Sequence, residues 1–132
     1  MELIIWKDEY SVGVPEFDEQ HMGLIDLINR LAQEGQKAGT IETVLDALDR
    51  YVKEHFRAEE ALMHAHRYEG LEEHRMQHAV FEEWLTAVKL TYRFTASTDV
   101  FAETVNAFLR NWLINHILKT DMDYKGVLAK RS

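Results

Sequence analysis

The sequence predicts an all-α protein: an up-down-up-down antiparallel four-helix bundle with an irregular N-terminal arm. Three observations point there. Apolar residues recur at steps of three and four along most of the chain, the period of a helix with one face against a core. The periodic runs number four and are joined by short links, which makes consecutive helices antiparallel neighbours. Alternation with a period of two is not sustained anywhere, so strands find no support. The chain has 132 residues. Read as one domain over 1–132, that is long enough to bury a sizeable core.

Residues 1–18 read as the arm, with the only proline, Pro15, and with Trp6 and Tyr10 as anchors. Asp18 reads as the N-cap of a first helix over about 19–38, whose inner face is Leu24, Ile25, Ile28 and Leu31. That face runs out in GQKAG at 35–39. Thr40 reads as the cap of a second helix, about 41–65, with Ile41, Val44, Leu45, Leu48, Val52, Phe56 and Leu62 inward. It is expected to fail between His66 and Gly70. A third helix, about 71–92, carries Glu72 and Glu73 in its first turn, where the helix dipole favours acids. TASTD at 95–99 supplies the next cap, and a fourth helix, about 98–120, turns Val105, Phe108, Leu109, Trp112, Leu113 and Ile117 inward. No internal repeat, low-complexity segment or linker interrupts this plan.

Composition removes several classes of function. The net charge of −8 and the absence of any Lys/Arg-rich run argue against nucleic-acid binding, which needs clustered cations against phosphates. They argue equally against docking on an anionic membrane surface. Without cysteine there is no disulfide, thiolate zinc site, iron–sulfur cluster or cysteine nucleophile. No apolar stretch approaches the roughly 20 residues that span a bilayer, so no membrane insertion is expected. The opening MELIIWKDEY has no signal-peptide character, and a cytoplasmic location is expected.

The histidines break the apolar pattern. In LEEHRMQHAVF at 71–81, the inner stripe runs Leu71, His74, His78, Phe81 and on to Leu85 and Val88, so two imidazoles stand where Leu or Val belongs. His55 continues the stripe of Val44, Leu48 and Val52, His116 that of Phe108, Trp112 and Leu113, and His21 precedes Leu24 and Ile28. Side chains four apart on a helix meet, so His55 can share a site with Glu59, and His74 with His78. His116 and Asp121 are five apart, about 140° around an ideal α-helix. They converge only if the helix ends between them and the chain turns Asp121 inward. His64 and His66 read as solvated residues at a helix end, and Glu60, about 100° from Glu59, as exposed.

Each of these groupings alone is commonplace on a helix. Together they send imidazole inward from all four helices. Five imidazoles and two carboxylates without a basic partner cost several kcal/mol per charged group to bury, and bound cations offset that cost. Seven donors exceed one tetrahedral zinc. Two ions sharing Glu59 and Asp121 as bridges, plus a bridging solvent oxygen, leave the histidines to split three and two. The three-histidine ion is then six-coordinate and the two-histidine ion five-coordinate, with one octahedral position open. Imidazole with a few carboxylates suits iron, copper or zinc, and the six-coordinate arithmetic favours iron. Leu24, Phe56, Trp112, Leu113 and Ile117 are expected to line the open position. An apolar vacancy on iron, with no spare inward acid or base to work on an organic substrate, reads as reversible dioxygen binding.

With DEQH at 18–21, HFRAE at 55–59, HRMQH at 74–78, WLINHILKTD at 112–121 and an aromatic arm of Trp6, Tyr10 and the VG at 12–13, the chain resembles the hemerythrin family, in particular single-domain bacteriohemerythrins. Members of that family are themselves up-down-up-down bundles. The resemblance implies that His74, His78 and His116 hold one iron and that His21 and His55 hold the other, where dioxygen would bind. It implies that Glu59 and Asp121 bridge, that the cofactor is two iron ions (Fe2+/Fe3+) with a bridging oxo or hydroxo group, and that a ferrous pair reduces dioxygen by two electrons in a reaction reversed on release. Where the family often has a proline before the third helix, RYEGLEEH has Gly70, and Tyr124 resembles a family aromatic just past the bridging Asp.

Oxygen carriage, storage or delivery is therefore the leading expectation, with an unidentified protein acceptor. A di-iron oxidase, peroxidase or nitric oxide reductase is the enzymatic alternative. Such bundle enzymes typically use Glu-x-x-His pairs, and no histidine here has Glu three residues before it. An oxygen or redox sensor would have to act through a partner, since residues up to Ser132 leave no room for an output domain. Iron storage lacks a cage-forming signal.

Overall fold

The protein is described by a computed structural model covering residues 3–35, 37, 39–92 and 98–128. Four helical rods form the bundle. The first is α1 (Pro15–Glu34). The second runs without a break through α2 (Thr40–Tyr51), a π-helical stretch Val52–Phe56 and α3 (Arg57–Ala65). The third is α4 (Leu71–Tyr92). The fourth comprises α5 (Thr98–Trp112), a π-helical stretch Leu113–Thr120, a 3-10 turn Asp121–Tyr124 and α6 (Lys125–Leu128). Helix α1 packs on α2 and α5, while α4 packs on α2 and α3.

The expected inner faces are inside. Leu24, Ile25, Ile28 and Leu31 of α1 are buried with Ile41, Val44, Leu45 and Leu48 of α2. Leu71, His74, His78, Phe81 and Leu85 of α4 are buried too, and Val88 is half-buried. On the fourth rod Val105, Leu109, Trp112, Leu113 and Ile117 are buried, and the half-buried Phe108 stacks on Trp84 at 3.7 Å. On α3 the buried apolar residue is Met63 rather than Leu62, which is half-buried. A π turn closes over five residues instead of four, so it rotates the residues beyond it relative to a pure α-helical count.

Two helix starts differ from expectation because of local chemistry. Pro15 occupies the first turn of α1, where its missing N–H is no loss and its fixed φ suits the helix, so the arm ends at Val14 rather than residue 18. Asp18 lies inside the helix and serves the arm instead. Its carboxylate accepts from Ser11 Oγ at 2.6 Å and from the Val12 N–H at 2.9 Å. At α2 the cap is Gly39, whose φ of 84° excludes most side chains, and Thr40 is the first helical residue. The cap expected in TASTD falls, for residues 95–97, outside the described residues, as do 36 and 38.

The arm is tied down as its aromatics imply. Trp6 and Tyr10 meet edge to face at 5.7 Å and pack on the core, and Asn29 exchanges two hydrogen bonds with the Ile4 backbone, each 2.8 Å. Two apolar clusters result. The larger fills the bundle from Leu31 to Phe56 and Trp112, and the smaller joins Val12, Val14, Phe17, Met63, Leu71 and Tyr124. Phe17 touches His55 and Tyr124 touches His74 from one side, while Tyr51, Phe56 and Trp112 touch histidines from the other. The polar residues of the interior are thus a layer enclosed between two apolar ones. Each fully buried Leu, Ile or Phe contributes roughly 1.5–3 kcal/mol, which is what offsets the desolvation of that layer. No helix among the described residues is long and apolar enough to cross a membrane.

Replacing Asp18 with Ala removes two hydrogen bonds to a charged acceptor, worth roughly 1.5–3 kcal/mol each when intact. The expected result is a loss of about 3 kcal/mol or more in stability, read as a lower denaturant midpoint. A midpoint equal to the parent's would show that the arm is held some other way.

Candidate metal centre

Helix periodicity brings the polar residues to one level. His55 and Glu59 lie one turn apart, as do His74 and His78, so each pair projects from one face. His116 and Asp121 converge by a different route from the one expected. The helix does not end between them: Leu113–Thr120 is π-helical, and the Asp121 N–H donates to the His116 carbonyl, five residues back. In that wider turn residues five apart stand one above the other, so Asp121 comes inward as the chain tightens into the 3-10 turn.

The structure brings together all seven residues singled out from the sequence, each at most 2% exposed. Their donor atoms form two clusters in which all atoms lie within 4.8 Å of one another: Glu59, His74, His78 and His116, and His21, His55, Glu59 and Asp121. The two carboxylates divide their oxygens between these clusters. Glu59 Oε1 lies 2.9 Å from His74 Nε2 and 3.0 Å from His78 Nε2, while Oε2 lies 3.3 Å from His55 Nε2. Asp121 Oδ1 lies 2.8 Å from His74 Nε2 and 3.0 Å from His116 Nε2, while Oδ2 lies 3.2 Å from His21 Nε2.

Several of these contacts are close but are not hydrogen bonds. His78 Nε2, His116 Nε2 and both Asp121 oxygens are fully buried and have no partner in hydrogen-bonding geometry. His21 Nε2 and His55 Nε2 face each other at 3.0 Å. Buried nitrogen and oxygen lone pairs pointing at a common volume suit a cation, and the donor chemistry therefore fits one.

Polar groups behind the rings fix which nitrogen faces inward. His55 Nδ1–H donates to Gln20 Oε1 at 2.5 Å, His116 Nδ1–H to Gln77 Oε1 at 2.7 Å, and His78 Nδ1–H to Glu60 Oε2 at 2.7 Å. Each bond leaves the Nε2 lone pair aimed at the centre, as a metal ligand requires. Tyr124 O–H donates to Glu59 Oε2 at 2.5 Å, so this residue holds a carboxylate in place.

Glu60 overturns its expected exposure. It is 9% exposed and held by His78 and by Arg57, whose Nη1 donates to both carboxylate oxygens at 3.0 and 3.1 Å. The π turn ahead of it rotates Glu60 toward α4, and Arg57 supplies the positive charge that burial requires. It is also an inward acid that helix periodicity did not reveal. Gln20 and Gln77 were missed as well. The only signal was their position: Gln20 directly precedes His21, and Gln77 directly precedes His78. His64 is exposed as expected. His66 is half-buried at the end of α3, with Nδ1 3.0 Å from the Leu62 carbonyl. Leu24, Phe56, Trp112, Leu113 and Ile117 are all buried in the larger apolar cluster.

The electrostatics favour a cation over protons. Burial pushes the Glu59 carboxyl up, but the ring nitrogens of His55, His74 and His78 close against it outweigh burial and hold the group well below the usual range. Asp121, raised by burial and by the Glu59 charge, is brought down by His116 and His21. Burial lowers His55 and His116, keeping both rings neutral. Burial would lower His74 too, yet the Asp121 and Glu59 carboxylates against its Nε2 prevail and raise it to about 9. Two ionised carboxylates and neutral imidazoles are what a divalent ion binds.

Comparisons with known proteins agree with this geometry. Residues 12–128 match the family model described as the hemerythrin HHE cation binding domain. The chain is 32% identical to the bacteriohemerythrin of Stenotrophomonas maltophilia (strain R551-3) over 126 residues, covering 94% of this chain and 80% of that protein. It is 32% identical to the myohemerythrin of Theromyzon tessulatum, covering 93% of this chain and 92% of the other. A crystal structure of wild-type hemerythrin superposes with a TM-score of 0.80 at 27% identity, covering 97% of this chain and 99% of that one.

Two outcomes are expected from the raised His74. In the metal-free protein its proton contributes stability that is complete below the ordinary histidine pKa of about 6.5 and is lost as the pH climbs through about 9. The melting temperature of the metal-free protein is therefore expected to fall between pH 7 and 9. Because a metal takes only the neutral ring, loading at pH 7.5 is expected to release that proton. Calorimetry in two buffers of different ionisation enthalpy measures the release, and identical heats would refute it.

Proposed function

Because the chain belongs to the hemerythrin family, we propose that it binds dioxygen reversibly at a non-haem di-iron centre, for oxygen transport, storage or delivery. One observation carries this reading: two buried carboxylates each turn one oxygen to a three-histidine cluster and the other to a two-histidine cluster. That is the arrangement of a bridged pair of ions. Two iron ions with a bridging oxo or hydroxo group fit the seven donors and leave the side of His21 and His55 one donor short. When bound, the iron pair supplies the two electrons that dioxygen takes up and returns.

The remaining work falls to the chain. His74, His78 and His116, with Glu59 and Asp121, would hold one ion, and His21 and His55, with the same carboxylates, would hold the other with fewer protein donors. Glu60, Gln20 and Gln77 hold the rings in orientation, and Tyr124 holds Glu59. Leu24, Phe56, Trp112, Leu113 and Ile117 surround the open position with apolar surface, which admits a small neutral molecule and excludes water.

An oxidase or peroxidase would need an acid or base free to move protons to a substrate. Glu60 is the one buried carboxylate beyond the bridging pair among the described residues, and Arg57 and His78 occupy it. Burial, followed by the Asp121 and Glu59 charges, pushes the Tyr51 and Tyr124 phenols well above their ordinary range, so neither ionises near neutrality to act as a base. A cytoplasmic location and a protein acceptor for the oxygen belong to the same proposal.

The test is to load the protein with ferrous iron under anaerobic conditions, admit oxygen and then remove it by sparging while recording the visible spectrum. A band that appears and fades through repeated cycles is expected. One-way oxidation with turnover of an added substrate would place the protein among the enzymes. Replacing His78 with Ala is expected to lower the iron content below two per chain, and an unchanged iron content would refute the ligand assignment.

A further inference from the structure

Four aromatic rings close the interior over the polar layer: Tyr51, Phe56, Phe81 and Trp112. Three lie flat on histidines or close to it. Phe56 stacks on His78 at 3.8 Å and 3°, Trp112 on His116 at 4.0 Å and 12°, and Tyr51 on His55 at 5.0 Å and 20°. Phe56 sits between the other two, 5.3 Å from Tyr51 and 5.7 Å from Trp112, so the layer spans both metal clusters. Three of these rings were anticipated by the inner stripes. Tyr51, one turn before His55, was not.

Two members of this layer carry polar heads. Tyr51 Oη and Trp112 Nε1 are fully enclosed, and neither has a hydrogen-bond partner, although each residue is 92% buried. The indole N–H faces the phenol oxygen closely enough to offset part of its acidity change, but the two atoms do not reach hydrogen-bonding geometry. A well-packed interior rarely tolerates one such orphan, and here two lie in one aromatic layer, on either side of Phe56. The ring of Tyr51 lies on His55, which shares a cluster with both Glu59 and Asp121, and the charges of those carboxylates act on the phenol. The outer side of Tyr51 lines a solvent-open pocket of about 270 Å³ between α1 and α2, shared with Gln20, Gly23, Leu24 and His55. Tyr51 is therefore the partition between solvent and the two-histidine side.

We propose that the Tyr51 hydroxyl and the Trp112 indole N–H are hydrogen-bond donors to the small ligand taken up beside His21 and His55, and that they favour ligands bearing negative charge once bound. This deepens the function proposed above and rests on it only in requiring a loaded metal centre. The donors are specific in chemistry. Both can give a proton, the Tyr51 hydroxyl oxygen is the layer's one acceptor, and the surrounding Phe56, Phe81 and Leu24 exclude the water that would otherwise compete. A ligand that stays neutral gains little there, and one that becomes anionic gains two charge-assisted bonds.

Azide is the probe, because it needs neither oxygen nor turnover. Tyr51→Phe keeps the ring on His55 and removes only the hydroxyl, and Trp112→Phe keeps an aromatic ring on His116. Each is titrated with azide in the oxidised, iron-loaded state, with iron measured by elemental analysis. Each variant is expected to raise the azide Kd about tenfold, the worth of one hydrogen bond to a charged acceptor. For neutral nitric oxide on the reduced protein, a smaller change is expected. In the parent protein, the infrared stretch of bound azide is expected to shift on exchange into D2O, a readout that needs no variant. Unchanged azide Kd values together with an unshifted stretch would overturn the proposal, and that result is also what a trapped water satisfying both donors would give. The two readings fail separately. Oxygen that never leaves the reduced protein would sink reversible carriage without touching the azide comparison.

Discussion

Two carboxylates buried among five imidazoles are the constraint around which the rest of this molecule is arranged. Glu59 and Asp121 are completely enclosed, with no arginine or lysine paired to them among the described residues. Isolated anions in such a place would be driven to take up protons. Here the nitrogens of His55, His74, His116 and their neighbours hold both carboxyls ionised, at the cost of loading His74 with a proton when no metal is present. The polar layer is thus electrically consistent but geometrically unsatisfied, with His78 Nε2, His116 Nε2 and both Asp121 oxygens buried and without hydrogen-bond partners. Cations resolve both problems at once. That is why the same seven residues that weaken the core as an apolar object make it effective as a binding site.

The bundle supplies the precision that such a site needs. Ring orientation is set behind the site by Gln20, Glu60 and Gln77, which come from α1, α3 and α4, so three of the four rods contribute to holding histidines. The two π-helical stretches contain His55 and His116 themselves. Widened turns leave backbone bonds less favourable than α-helical ones, and they persist where a side chain must be aimed differently from its helical phase. In the fourth rod that need is evident, because an α-helical step of five would have sent Asp121 away from His116.

Chemical selectivity comes from the neighbours rather than from the donors. On the inner side, Phe17, Met63, Leu71 and Tyr124 seal the layer, and Tyr124 adds the one hydroxyl that grips Glu59. On the other side the seal is aromatic and carries two unused donors in Tyr51 and Trp112. A small gas molecule passing Tyr51 from the α1–α2 pocket would leave water for apolar surface and meet the Tyr51 and Trp112 donors in the aromatic layer. That combination suits a molecule that arrives neutral and gathers negative charge on binding.

The inner stripes determined a great deal by themselves. A residue's place on a helix face depends only on neighbours within a few positions, so periodicity alone placed His21, His55, His74, His78 and His116 inside, together with Glu59 and the apolar lining from Leu24 to Ile117. The four-helix plan was legible for the same reason, as were the solvated His64 and the family likeness carried by HFRAE and HRMQH. Local reading faltered where local chemistry competed, with Pro15 starting α1 early and Asp18 turning back to Ser11 and Val12. What only the tertiary structure decided are contacts between residues far apart in the chain: Gln20 with His55, Gln77 with His116, Tyr124 with Glu59, and Glu60 drawn inward between Arg57 and His78. The division of each carboxylate between two clusters belongs there as well. Such pairings depend on the distance and rotation between packed helices and on turns wider than the α-helical period, and neither quantity is written in the spacing of residues along a single helix.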